Sequence, residues 1–320
     1  MCRNQVLVTI RRSSMYEGPI IDAHQHLWNY DMGKHRWLGQ AQSSLNIVGD
    51  SRYLERSYLP FDFAQDNAGC RVVGSVHIEA HWDRSTDGIE ETAWLETLCR
   101  PSMVADRYVV WTELTRPGAD ERLAAHRSCS SRVTGVRESI REHADSAYSY
   151  AGSANWRSPV WQSGVAILEK VGLVLELLIY AQQGEVVAEL ARLFPRLTIV
   201  VNHSASPIGT GDPARSLFRL GIEAMARQPN IYLKASNFFR YSDDLDFKQC
   251  LEQIARPCVE VFGPERMLFA SDFPVASKWT SYANLVHSLK GLLSGYTAEQ
   301  QRDYFFATAN RLYGFGLPPN

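Results

Sequence analysis

The chain has 320 residues, 45% hydrophobic and 21% charged, with 33 Lys and Arg against 35 Asp and Glu for a formal net charge of -2. These values exclude a disordered or collagen-like chain, and the near-neutral balance without a basic run argues against a nucleic-acid binder. No apolar run approaches the ~18 residues of a membrane span.

The first 17 residues read as an N-terminal extension. Arg3, Arg11 and Arg12 flank an apolar run of only Val6 to Ile10, too short for a secretory signal. Met15 stands just before the first strand, so an over-long start is a second reading of this segment. The six cysteines (Cys2, Cys70, Cys99, Cys129, Cys250, Cys258) form no CxxC pair, which points to free thiols and a reducing, cytoplasmic setting.

From residue 18 onward, short apolar runs alternate with helical periodicity. The first strand is 19–23, running into His24-Gln25-His26. A long Trp-, Gly- and Ser-rich loop covers 27–58, and loops of that length in compact domains are usually functional. A short helix is predicted over 60–67, a strand over 71–79, a helix over 89–103, a strand over 108–114, a weak helix over 121–130 and a strand over 133–137. A second long loop follows at 138–159. Then come helix 160–171, strand 173–179, helix 183–194, strand 197–201, helix 215–227 and strand 231–235. Helix 246–262 should kink or split at Pro257. Strand 266–270 and helices 282–293 and 298–312 close the chain. Strict alternation implies a parallel sheet covered on its faces. Eight such units imply an α/β fold of the closed (β/α)8, or TIM-barrel, kind in one domain spanning 18–316. Neither GxGxxG nor GxxxxGK[ST] occurs.

Barrel chemistry sits at the C-terminal ends of the strands. Those ends carry His24 and His26 on strand one, then His77, Glu79 and His81 on strand two. Glu113, Arg137 and Glu176 stand on strands three to five, and His203, Lys234 with Ser236, and Asp272 on strands six to eight. Residues i and i+2 share a strand face, so His24 and His26 can point into one pocket. Each residue has a plainer reading too. His203 can be a structural hydrogen-bonder, Asp272 a turn cap and Glu176 a salt-bridged interior residue. His77, Glu79 and Arg137 can form a supporting cluster, and Glu113 can point outward. The convergence of His24, His26, His203 and Asp272 on one mouth favours the functional reading.

The segment Ile20-Ile21-Asp22-Ala23-His24-Gln25-His26-Leu27-Trp28 resembles the opening of the amidohydrolase superfamily. More narrowly it is similar to the amidohydrolase-2 branch of sugar-lactone and 2-pyrone-4,6-dicarboxylate lactonases. Gly135-Val136-Arg137, Asn202-His203 through Pro207, Ala270-Ser271-Asp272-Phe273-Pro274-Val275 and Ala309-Asn310-Arg311-Leu312-Tyr313 resemble later stretches of that branch in order and spacing. The chain departs from the pattern at Asn202, where the branch commonly has Asp, and at Phe273, where it has Trp. The bridging Lys of two-metal members is absent from strands four and five, and Glu176 with Gln182 occupies the region of the usual fifth-strand His.

The resemblance implies a hydrolase acting on a small-molecule lactone or related ester-like bond. It also implies at most one divalent metal ion, zinc if any, or none. Asp272 is the expected base, since a carboxylate beside imidazoles stays ionised. His24, His26 and Asp272 are the expected metal ligands; without metal, His24, His26 and His203 would polarise the carbonyl. Arg137 is the candidate for a substrate carboxylate through its planar fork. His77, Glu79, Glu176, Lys234, Ser236 and Trp28 are further substrate-contact candidates, with Trp37 and Trp156 as possible pocket walls. The alternative is a metal-dependent non-oxidative decarboxylase using the same His and Asp set, and a non-catalytic binding barrel is a third reading. The expected partner is a small carboxylate-bearing molecule rather than nucleic acid or membrane, with the oligomeric state open.

Overall fold

The computed structural model describes residues 15–39, 50–86, 88–145, 148, 153–209, 211–240 and 245–318. Most of the predicted N-terminal extension and part of each long loop therefore lie outside the described residues. Eight strands run β1 (Ile20–Gln25), β2 (Val72–Ile78), β3 (Arg107–Val110), β4 (Val133–Ser139), β5 (Val174–Leu178), β6 (Ile199–Val201), β7 (Ile231–Lys234) and β8 (Met267–Leu268). They pair in sequence order, every pair parallel. The last strand's continuation closes on the first. Ala23 N donates to Phe269 O at 2.9 Å, Asp272 N to His24 O at 2.8 Å and His26 N to Phe273 O at 2.9 Å. The closure runs through the residues that carry the site.

The helices α1 (Pro60–Asp66), α2 (Ile89–Thr97), α3 (Ala119–Cys129), α4 (Pro159–Val171), α5 (Gly184–Leu193) and α6 (Asp212–Ala226) follow β1 to β6 in turn. Pro159 sits in the first turn of α4 and left-handed Gly172 ends it, the expected placement of each. Helices α5 and α6 can cross closely because Gly184 and Gly221 carry no side chains; a Cβ on Gly184 would meet the Gly221 carbonyl at 2.2 Å.

After β7 the predicted single helix is three pieces: α7 (Phe247–Cys250), a π-helical turn (Leu251–Ala255) and α8 (Arg256–Phe262). Pro257 lacks the N–H that an unbroken α-helix would need, and the wide turn before it absorbs the break. After α9 (Tyr282–Leu293), the last predicted helix is likewise α10 (Ala298–Arg302), a π-helical turn (Asp303–Ala307) and α11 (Thr308–Leu312). The helix after β2 ends at Thr97, short of the predicted Met103.

The barrel lumen is filled by Ile21, Ala23, Val76, Ile78, Val109, Val174, Val200 and Leu268. Phe306, Ala309 and Tyr313 of the C-terminal segment pack against them, plugging the end opposite the site. The outward strand faces join the helices in a second, larger core. β8 has only two residues because Phe269 N turns to the Tyr304 carbonyl at 3.0 Å.

Candidate active site

A shift of register between Asp22 and Gln25 lets the end of β1 turn both of its histidines inward. Asp22 holds the bulge. Its Oδ1 accepts from His24 N at 3.1 Å and Ser271 N at 2.9 Å, and its Oδ2 from the Tyr282 hydroxyl at 2.9 Å. Burial pushes the Asp22 carboxyl up to about 6 against those hydrogen bonds.

Three donor atoms meet above it. His24 Nε2 and His26 Nε2 are 3.2 Å apart, and Asp272 Oδ1 lies 3.3 Å from the first and 3.1 Å from the second. His26 Nδ1 is 2.7 Å from the Ile78 carbonyl. A carbonyl only accepts, so Nδ1 donates to it, which leaves Nε2 as the ring nitrogen that faces Asp272 and the site. Burial, followed by the nearby Lys234, His203, His26 and Arg137, holds the His24 imidazole well below its ordinary value, which favours its neutral form. Burial works to raise the Asp272 carboxyl, but His203, the His26 hydrogen bond and Arg240 leave it below its ordinary value. Asn237 Nδ2 donates to Asp272 Oδ2.

Two imidazole nitrogens and one carboxylate oxygen make up a set that could hold a metal ion. Four ligands at about 2.0–2.2 Å around a tetrahedral zinc are about 3.3–3.6 Å apart, close to the separations of 3.1–3.3 Å found. The residues present therefore fit one divalent ion.

The His203 ring lies 4.8 Å from that of His24, with Nδ1 2.9 Å from Ser236 Oγ. His203, Ser204, Ala205 and Ser206 have φ of 55°, 50°, 59° and 44°, a left-handed turn without a glycine. Each such L-residue costs about 1–2 kcal/mol, a sum tolerated only where the surroundings over-determine the backbone. Arg141 Nη2 grips the end of this turn at Ser206 Oγ, 2.7 Å away, and its guanidinium lies over the Tyr180 ring.

Other candidates take different places. Glu176 and Lys234 are wholly buried and paired, Nζ lying 2.6 and 2.5 Å from the two carboxylate oxygens. Neither exposes any surface in this structure, which matches the interior reading of Glu176. Arg137 is engaged by Glu79, with Nε 2.9 Å and Nη2 2.7 Å from Oε1. Arg84 also binds Glu79, at 3.1 Å. Burial works against this carboxylate, but Arg84 and Arg137 hold it well below its ordinary value. His77 alternates with the lumen residues Val76 and Ile78, so it faces the helix layer. There Nε2 meets Glu91 of α2 at 3.2 Å and Nδ1 accepts from Leu27 N. Ser236 serves His203. Trp28 is fully buried among Trp37 and Tyr58, its Nε1 donating to Arg56 O at 2.7 Å. Trp37 and Trp156 are also buried. Sequence reasoning missed Asn237, Arg141 and Arg240. The only signal for them was their position just beyond the ends of β7 and β4.

A closed (β/α)8 barrel whose C-terminal mouth gathers a His-X-His pair, a third histidine and an aspartate defines a class of barrel hydrolases. The chain belongs to the amidohydrolase family, which it matches over residues 21–315. Among curated proteins it is 26% identical over 316 residues to an L-fucono-1,5-lactonase of Burkholderia multivorans, covering 93% of this chain and 97% of that one. Among solved structures, a zinc-bound amidohydrolase of Burkholderia multivorans superposes with a TM-score of 0.77 at 24% identity, over 94% of this chain and 100% of the other. A 2,6-dihydroxybenzoate decarboxylase of Rhizobium shares the fold, with a TM-score of 0.53 at 12% identity and coverage of 93% and 99%. No helix among the described residues is long and apolar enough to cross a membrane.

Proposed function

We propose that this hydrolase opens a carboxylate-bearing small-molecule lactone, using residues 18–316 as its catalytic unit and residues 1–17 as an extension. The observation that carries the reading is the meeting of His24, His26 and Asp272 within 3.1–3.3 Å beside His203. The similarity to L-fucono-1,5-lactonases supports lactone chemistry over decarboxylation.

His24, His26 and Asp272 would hold one divalent ion, zinc by the donor set. Such an ion supplies a Lewis acid that polarises oxygen and acidifies water at neutral pH. Asp272, fixed by Asn237, takes the proton of the attacking water as general base. His203, with Nδ1 tied to Ser236, offers Nε2 to the carbonyl oxygen, where negative charge develops. The ring C–O bond then breaks, and protonated Asp272 returns its proton to the departing oxygen. Arg137, Arg141 and Arg240 all act on His203 by charge; with Arg137 paired to the Glu79 carboxylate, Arg141 and Arg240 are the candidate cations for a substrate carboxylate.

The test is a panel of neutral and carboxylate-bearing lactones followed by acid release, with and without added zinc. The expected result is turnover with lower KM for the carboxylate-bearing members. Carbon dioxide release from unsaturated or aromatic acids, with every lactone inert, would overturn the reading in favour of the decarboxylase.

A further inference from the structure

Below the donor atoms lies a polar cluster that the mechanism above does not use. Glu176 of β5 accepts four hydrogen bonds: two from Lys234 Nζ of β7, one from Asn202 Nδ2 at 2.8 Å and one from the Tyr313 hydroxyl at 2.6 Å. All four residues are buried. A buried ion pair is weak evidence for stability, because well-packed apolar residues of similar volume often do as well or better. Packing alone therefore gives no reason for this one.

Its contacts lead to His203 by two routes. Asn202 directly precedes His203, and the Asn202 carbonyl accepts Ala205 N at 3.0 Å, so Glu176 grips the entry to the left-handed turn. Lys234 ends β7 two residues before Ser236, whose hydroxyl bonds His203 Nδ1. Four consecutive left-handed residues are unfavourable in isolation, so the turn depends on outside anchors. Arg141 holds its exit and Glu176 its entry. Tyr313 extends the connection to the C-terminal plug, which packs in the lumen through Phe306 and Ala309.

We propose that Glu176, with Lys234, Asn202 and Tyr313, is a positioning network that fixes His203 for the reaction and makes the C-terminal segment part of that fixation. Its kinetic consequence rests on the lactone-hydrolase reading; its structural consequence does not.

The test replaces both charges at once, since removing one alone leaves the other buried and unpaired and invites misfolding. In Glu176→Met/Lys234→Met the bulk is kept and the anchors are lost. The expected result is a folded protein whose kcat falls about 10²-fold, as displacements near 1 Å do, with KM within about twofold. The ¹⁵N imidazole resonances of His203, read at one fixed pH, move with it. Glu176→Gln/Lys234→Met restores an acceptor for Asn202 and is expected to recover part of both. Tyr313→Phe, which removes a single hydroxyl, shifts both in the same direction by less and serves if the double variant does not fold. A folded double-Met variant, or failing that Tyr313→Phe, with wild-type kcat and unmoved His203 resonances overturns the proposal. If the wild type opens no lactone, the lactonase reading fails, and the His203 resonances alone then support or overturn the network.

Discussion

Asp272 carries its carboxylate on a left-handed backbone, φ 58°, between the strand that ends the sheet and the strand that starts it. Asparagine keeps that shape and tolerates the same backbone, so Asp272→Asn separates proton transfer from turn geometry. Turnover is expected to fall by about 10²–10⁴-fold with little change in Tm. Zinc content measured on the same sample tells ligand loss from loss of the base. Near wild-type turnover in the folded variant would remove Asp272 from the mechanism. Ser236 gives a second split. A substrate contact would raise KM on conversion to alanine. A partner of His203 Nδ1 should instead leave KM alone and lower kcat, by about fivefold if the lost hydrogen bond contributes about 1 kcal/mol; steady-state kinetics of Ser236→Ala distinguish them. His24, His26, His203 and Asp272 were legible because a barrel brings its strand ends together. The i, i+2 logic left two readings of His77 open, because spacing alone does not say which of two strand faces is the lumen. Val76 and Ile78 take the lumen, sending His77 to the helices. Asn237 was invisible because it lies past the end of β7 with φ 55°, where no strand alternation applies.

Single elements show where sequence patterning ends. β4 was read as 133–137 but extends to Ser139, and its added length places Glu138 in a buried position. Burial pushes the Glu138 carboxyl up to about 8. Arg84 and a hydrogen bond from the Leu114 N–H oppose the rise, while Glu79 and Glu113 add to it. The unfolded chain ionises this group near pH 4.5, so between about 4.5 and 8 the folded state binds the extra proton. Stability therefore falls as pH rises through that window. At about 1.36 kcal/mol per unit of pKa, the loss is on the order of a few kcal/mol. Glu138→Gln keeps the acceptor for Leu114 and removes the titration. Its Tm relative to wild type should climb steadily from pH 5 to pH 8 in parallel thermal melts. A flat difference would mean that Glu138 is ionised in the fold. Eight strand positions and most helices were legible because apolar periodicity marks them. The π-helical turns at Leu251–Ala255 and Asp303–Ala307 were not, since a π turn leaves no local pattern distinct from the helix around it. Pro257 gave the only warning.

Over the whole molecule, the charges around the lumen set how many metal ions the barrel can take. In the two-metal proteins that the sequence resembles, a bridging ligand reaches in from β4 or β5. On β4, Arg137 faces Glu79. On β5, the Glu176 carboxylate is neutralised by Lys234 and saturated by Asn202 and Tyr313. Among the described residues His24, His26 and Asp272 are the one group of three that could hold an ion. The stoichiometry should therefore be one zinc per chain by elemental analysis. Because the ion binds the assembled site and not the separated ligands, zinc should also raise Tm, with stabilisation of about 2.7 kcal/mol at a free concentration one hundred times Kd. His26→Ala should lose both the ion and the Tm response, and affinity should weaken as pH falls because the imidazoles must be neutral to bind. Two tightly held ions per chain in unsupplemented protein would contradict the one-ion site. An unchanged zinc response in His26→Ala would place the ion elsewhere in the barrel.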